Sequence, residues 1–453
     1  MKFYWKSSSY TALALCVVGT IVSFLFIGSL LNPGYISGYW AGVTAQSGLA
    51  LVASSGVAAL GGAIEGARLR PLNLSTKRSA RGSIAIAARS LGLYLLAAIV
   101  IQTISFISIS VFALKATDDP NWILLLAFLS INIFHLMLGF NLGLRFPIVI
   151  SAPLALTTSY VWLGSAWSIG YFPLRYMAGL ILMDCCRIYE SLDMRAIFAT
   201  IAFNTVGSVG LALFARNKLS PSGIPKGLFT SLAFISAIVA FAMAAQLTSQ
   251  LGPTPVTNRD SKFLDCRGAN GQHYKYSKIN SNMNASLPAP IICLYPSQDS
   301  KGTFASSLRR VWTHLKDWHL VPPRVIVGNN QPPGGDPLGV VATTISAPGQ
   351  VAYSFIADFV GPPTSCNESM DAWELRDANY RYLITFLLNA NSTAKMDLTQ
   401  FGPMLNHAEL TAFHYLKHQS LTLRTGKSPT YSVSKWLKRS INAVRTCAPV
   451  PEV

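Results

Sequence analysis

Charge is what this chain has least of. Only 12% of its 453 residues are Asp, Glu, Lys or Arg, about half the share that soluble domains carry. Acidic residues are the scarcer kind, 19 against 36 basic ones, for a net charge of +17. No carboxylate falls in the middle of an apolar stretch. That argues against proton- or sodium-coupled transport, which usually needs one there, or an interrupted helix. There is no G-x-x-x-x-G-K-[ST] loop, so the chain has no phosphate cradle of that type. There is no CxxC pair for a zinc ribbon and no G-x-S-x-G elbow for a hydrolase in the sequence. The basic excess does not indicate nucleic acid: no binding motif accompanies it, and many basic residues sit in short loops between apolar runs. Membrane topology explains those more simply.

What the chain has in quantity is long apolar sequence. Seven segments are long enough to cross a hydrocarbon core of about 30 Å: Ala12–Leu31, Trp40–Ile64, Leu91–Leu114, Trp122–Gly143, Ile148–Gly170, Ala196–Ala215 and Leu228–Leu247. The first has the basic start of a signal peptide, Lys2 and Lys6, but no small-x-small cleavage site follows it, and a retained helix is expected. Near Leu251 the character changes to mixed, polar, loop-rich sequence. The expected architecture is therefore a multi-pass all-α membrane domain over residues 1–250 and an α+β, disulfide-bonded, extracytoplasmic domain over 251–453.

Loop charges set the expected orientation in a plasma membrane. Lys2, Lys6, then Arg68 to Arg89, Arg145, and finally Arg216, Lys218 and Lys226 fall on one side; Asn32–Tyr39 and Lys115–Asn121 on the other carry one lysine between them. The positive-inside rule puts the N-terminus in the cytoplasm, and seven spans put the C-terminal domain outside. Tyr171–Arg195 is too charged to cross and reads as an interfacial or re-entrant helix. Were it to cross, the C-terminal domain would be cytoplasmic.

The second apolar segment runs into Ala63-Ile64-Glu65-Gly66-Ala67-Arg68-Leu69-Arg70, and Pro71 breaks it. Asn73 or Ser75 then caps a short basic amphipathic helix reaching Arg89. Such a helix either lies on anionic headgroups or docks into a cytoplasmic partner. This layout resembles the membrane subunit of an ABC-2-type exporter. The run Ala63–Arg70 is similar to the second-span ending of actinobacterial permease-like proteins that append an extracellular domain. Ile292-Cys293-Leu294-Tyr295-Pro296, downstream of Cys266, is similar to a paired-cysteine stretch in some of them. The resemblance implies a separate ABC ATPase subunit carrying ATP and magnesium, and a homo- or heterodimeric permease. It implies coupling through Glu65, Arg68, Arg70, Lys77, Arg78, Arg81 and Arg89, with the loop at Gly143–Phe146 as a smaller contact. A Glu65–Arg68 pair, three apart on one helix face, is expected to position the turn; alone it is worth only a few tenths of a kcal/mol.

Polar residues inside the apolar segments are few: Gln102, Asn132, His135 and Asn204, with Asn141 nearer an end. Asn132 and His135 either hydrogen-bond between helices or mark a polar patch on a substrate path. A mostly apolar interior suits an exporter of peptide, antibiotic or lipid-like cargo. The other reading of the chain is a membrane-anchored sensor or scaffold whose outer domain binds a peptide or envelope ligand.

The C-terminal part has four cysteines, Cys266, Cys293, Cys366 and Cys447. An even count in loop-rich sequence fits two disulfides in an oxidising compartment, with 266–293 and 366–447 favoured because the first closes a Gly/Asn-rich hairpin-like stretch. Four free thiols in the cytoplasm is the alternative. Helices are expected at Ser306–His319, Met370–Asn389, Gly402–Lys417 and Val433–Arg445, and strands from Val321, at Val340–Ile345 and at Val351–Val360. His407, His414 and His418 share a helix face. His414 and His418 have two-histidine metal spacing, but Tyr415, Leu416 and Lys417 between them and the lack of a third ligand favour a solvated face. No metal, cofactor or catalytic residue is expected on this chain.

Overall fold

The structure is a computed structural model that describes residues 2–31, 38–70, 83–114, 116, 118–186, 190–219, 226–275, 290–295, 303–320, 325–328, 339–340, 355–356, 359–360, 383–384, 387 and 431–446. The chain divides into two compact units, Met1–Thr257 and Asn258–Val453.

Among the described residues of the first unit, seven helices are long and apolar enough to cross a membrane: Ser8–Leu30, Trp40–Leu69, Ala87–Ala113, Trp122–Arg145, Ile148–Ser165, Met194–Arg216 and Gly227–Thr248. They are called spans one to seven here, and each expected apolar segment supplies one. Their outward faces carry bare hydrophobic side chains, among them Leu25, Val149, Val161, Phe234 and Ile238. That is the surface a lipid solvent requires and water would not tolerate at this extent.

Span two is the most enclosed of the seven and packs against spans one, three, four and five. Its backbone is α-helical over Trp40–Gln46, 3-10 over Ser47–Ala50 and α-helical again over Leu51–Leu69. Against span four it packs backbone to backbone. A methyl group added at Gly62 would overlap the Leu136 carbonyl, one at Gly66 the Phe140 carbonyl, one at Gly139 the Ala59 carbonyl, and one at Gly143 the Ala63 carbonyl. Two G-x-x-x-G steps, one on each helix, thus interlock. Small residues spaced four apart allow this close approach where lipid supplies no hydrophobic drive for association. The contacts advance in the same direction along both helices, Gly48 against Phe128, Ala59 against Gly139 and Gly66 against Phe140 and Gly143, so the two spans run parallel.

The segment after span five does not cross. Its helix, Phe172–Ala178, starts on Pro173 and stops at Gly179, whose φ of 81° is left-handed. At seven residues it is about 10 Å long, a third of a hydrocarbon core. A 3-10 turn, Leu180–Asp184, follows, and then strand β1, Glu190–Leu192. Met177 and Leu182 are fully buried, so the segment packs into the first unit. Beside it the chain continues past Leu251 still attached to the first unit. Tyr176 donates to the Gly252 carbonyl (2.6 Å), Asp193 N–H to the Pro255 carbonyl (2.8 Å), and β1 pairs with β2, Val256–Asn258. This is why the compact unit ends a few residues beyond the change in composition.

The described part of the second unit contains a five-stranded sheet in the order β4-β3-β5-β6-β7. The strands are β3 Asp265–Arg267, β4 His273–Tyr274, β5 Ile291–Leu294, β6 Val325–Gly328 and β7 Gly339–Val340. β3 is antiparallel to β4 and β5, and β5, β6 and β7 are parallel. Helix Thr303–Asp317 buries Leu308, Val311, Trp312 and Leu315, the stripe expected from the sequence, against Ile292, Leu294 and Ile326. Helix Tyr431–Thr446 adds Leu437, Ile441 and Val444 to the same core. Cys266 and Cys293 face each other in β3–β5 register and are disulfide-bonded, as expected. Within Val351–Val360 the described residues Phe355, Ile356, Phe359 and Val360 are helical, not extended. All four are apolar, and two apolar neighbours every four residues is a helix stripe rather than a strand alternation.

Candidate functional site

The Arg70 end of span two carries a buried polar cluster. Glu65 is completely buried. Arg68 Nη1 stands 3.8 Å from its Oε2, and Ser8 of span one donates to the same oxygen (3.4 Å). The guanidinium also donates to Ser8 Oγ (3.1 Å), Thr11 Oγ1 (3.1 Å) and Tyr94 Oη (3.4 Å). One ion pair therefore ties together spans one, two and three. Tyr94 reaches it by lying flat on Gly61, where a side chain would occupy the ring's place. Around the cluster Ala12, Leu69, Leu91, Tyr94, Phe140, Leu144 and Ala215 form a hydrophobic core from five spans. A carboxylate removed from water is tolerated only when paired and hydrogen-bonded, and each of these contacts serves that need.

Glu65 and Arg68 pair on one helix face, as expected, in the last helical turns of span two, which stays helical through Leu69. Two other sequence expectations change here. Arg89 is not the end of a separate amphipathic helix: Ser83–Ser110 is one continuous helix, and Arg89 lies exposed on its first turns. Gly143 is not part of an accessible loop, since it is helical and buried against Ala63, Gly66 and Ala67. Arg70 is exposed at the end of the helix. Lys77, Arg78 and Arg81 lie outside the described residues.

The opposite end of span two is held by side chains that close broken backbone. Gln102 Nε2 donates to the Ser47 carbonyl (2.8 Å) and its Oε1 accepts from Ser54 (3.5 Å). Gln46 donates to the Met183 carbonyl in the 3-10 turn that follows helix Phe172–Ala178 (2.7 Å), and Tyr39 to the Glu190 carbonyl (2.5 Å). Asn204 Nδ2 reaches the Met177 carbonyl (3.0 Å) and Thr200 Oγ1 the Tyr176 carbonyl (2.6 Å). Burial pushes the Tyr176 phenol up to about 12. Asp193 caps span six by accepting from Arg195 N–H (2.8 Å), while the Arg195 side chain, hydrogen-bonded to its carboxylate, holds that carboxyl below its usual range. Cys185 and Cys186, adjacent in the chain, form a second disulfide.

Of the four intramembrane polar residues, Gln102 and Asn204 make the inter-element bonds expected of such groups. Asn132 and His135 are fully buried, yet among the described residues Asn132 Oδ1 and both ring nitrogens of His135 have no hydrogen-bond partner. Cys366, Cys447, His407, His414 and His418 lie outside the described residues. Ser8, Thr11 and Tyr94 were not legible as site residues, because each looks like an ordinary helix residue until three spans are brought together. The reciprocal glycines were legible in their spacing, Gly62 to Gly66 and Gly139 to Gly143, which is the helix-association signature.

The sequence matches no protein-family model, and no characterised protein or solved structure similar to it was found.

Proposed function

We propose that the chain is the permease subunit of an ABC-type exporter, acting as a homo- or heterodimer with a separate ATPase subunit that holds ATP and magnesium. Its cargo class is a peptide, an antibiotic or a lipid-like molecule. The observation that carries this reading is the Glu65–Arg68 cluster, which ties spans one, two and three together at the point where span two meets the basic segment Lys77–Arg81. A push on that segment reaches two spans directly, span two before it and span three after it, and the cluster passes it to span one. Spans two and four, interlocked backbone to backbone, move as one body with span one tied to them, so relative motion falls to the less enclosed spans five and seven.

In this reading the N-terminus is cytoplasmic, and the C-terminal unit is an α+β domain facing outward, where the Cys266–Cys293 disulfide is stable. The chain itself is not an enzyme. A sensor or scaffold is the second reading, favoured by the size of the second unit, Asn258–Val453, which is large for a mere appendage. Purification from native membranes distinguishes them: the exporter reading expects an ABC ATPase and ATP hydrolysis to travel with the chain, and a preparation with neither supports the sensor.

A further inference from the structure

Six side chains of the membrane unit have buried polar atoms without a partner among the described residues: Asn132 Oδ1, both nitrogens of His135, Ser151 Oγ, Ser159 Oγ, Trp162 Nε1 and Asn204 Oδ1. Buried polar groups in native proteins are hydrogen-bonded to protein or to ordered water, and the exceptions need a reason. Ser151 lies eight residues before Ser159 on span five and stands apart; the other five fall together. Close contacts between spans two and four pair residues 74 to 80 apart, as in Gly62 with Leu136 and Ala59 with Gly139, which sets His135 alongside the stretch from Ser55 to Gly61. On span five, Tyr160 lies against Gly56, its hydroxyl 2.7 Å from where a methyl would stand, and Ser159 and Trp162 lie one residue before it and two after it. The rings then run on without a gap. Trp162 stacks on Phe203 (5.5 Å between centroids), Phe203 meets Phe134 (5.8 Å), and Phe134 meets His135 edge-on (5.6 Å). Asn204 adjoins Phe203. Spans four, five and six thus bring these groups to one depth.

We propose that Asn132, His135, Ser159, Trp162 and Asn204 form a binding site for an uncharged amide, such as a peptide bond, inside the membrane unit. The donor set selects the class. The two asparagine oxygens accept only, Trp162 donates only, and His135 and Ser159 can do either. None of the five is a carboxylate, lysine or arginine, so a cation would lack a counter-ion and an anion would meet two carbonyl oxygens. A neutral amide offers one donor and one acceptor, and its planar face suits the Trp162–Phe203 stack. On one side Asn204 is already tied to helix Phe172–Ala178 through the Met177 carbonyl. The inference does not rest on the exporter reading, because it follows from the packing of spans two, four, five and six alone.

The test uses the full chain in detergent with Cys16→Ser, into which His135→Cys is introduced and treated with methyl methanethiosulfonate, a small uncharged thiol reagent. Val161→Cys, at the same depth but facing outward, is the control, and the reactivity of the Cys16→Ser parent is subtracted. A thiol in apolar surroundings stays protonated and inert, so the proposal expects Cys at 135 to react about tenfold faster than Cys at 161. N-Acetylleucinamide, uncharged and carrying two amides, slows that reaction about threefold at twice its dissociation constant, whereas N-acetylleucine carboxylate does not. Should His135→Cys not fold, Ser159→Cys takes its place. Equal reactivity at the inner and outer positions overturns the proposal, and so does slowing by the carboxylate as strong as by the amide.

Discussion

Gly139→Ala tests the interlock of spans two and four. The added methyl would overlap the Ala59 carbonyl oxygen and stand 2.7 Å from its carbon and 3.0 Å from the Ala59 Cα. Backbone cannot rotate away as a side chain can, so the helices must part, and overpacking of this kind costs about 1–3 kcal/mol. Parting by even ~0.5–1 Å also forfeits a quarter to a half of the dispersion at each neighbouring contact. Gly92→Ala and Gly164→Ala are the controls. Both glycines lie inside helices with nothing within 4 Å of the added methyl, so alanine there is expected to stabilise by about 0.5–1 kcal/mol through helix propensity alone. The expected gap between Gly139→Ala and the controls is roughly 1.5–4 kcal/mol, with opposite signs. The assay is SDS-induced unfolding in mixed micelles followed by circular dichroism. A Gly139→Ala protein as stable as Gly92→Ala refutes the parallel, backbone-to-backbone packing.

Arg68→Ala removes the Arg68 guanidinium from the buried Glu65 and should destabilise by about 3–5 kcal/mol; the double variant Arg68→Ala/Glu65→Gln should recover part of that loss in the same unfolding assay, and a double variant no better than the single would argue that the pair is not the tie. Cys266→Ala/Cys293→Ala opens a loop of 27 residues' separation, for which chain entropy predicts a loss of about 3.5 kcal/mol; melting with and without reductant measures it, and an unchanged midpoint contradicts it. For orientation, Asn270→Cys should react with an impermeant maleimide on intact cells and Arg70→Cys only after permeabilisation. The reverse pattern would place the second unit in the cytoplasm.

Much of the membrane fold was legible, because lipid demands long apolar helices and almost nothing else produces them. The boundaries drawn at Trp40, Trp122 and Ile148 coincide with helix starts for that reason. The 3-10 turn at Ser47–Ala50 was not legible, since no proline or glycine pair marks it and Gln102, 55 residues away, closes its carbonyl. The same holds for the site. Glu65 and Arg68 could be singled out as a charged pair at the end of an apolar run, but their burial depends on glycines packed against a helix some 70 residues later. Asn132 and His135 were visible as polar exceptions. That they share one depth with Ser159 and Trp162 needed the register between spans, which sequence periodicity does not contain. In the second unit, the stripe Leu308, Val311, Trp312 and Leu315 announced its helix, whereas Phe355 to Val360 misled because a short apolar run fits strand and helix alike.

The most direct test of the exporter reading is charge reversal at Lys77, Arg78 and Arg81. The tagged parent chain, purified from its native membranes, should bring down an ABC ATPase. The variant with all three changed to Glu should reach the membrane in equal amount and bring down little or none. An ATPase recovered equally with both chains, or none recovered with the parent, contradicts coupling through this segment.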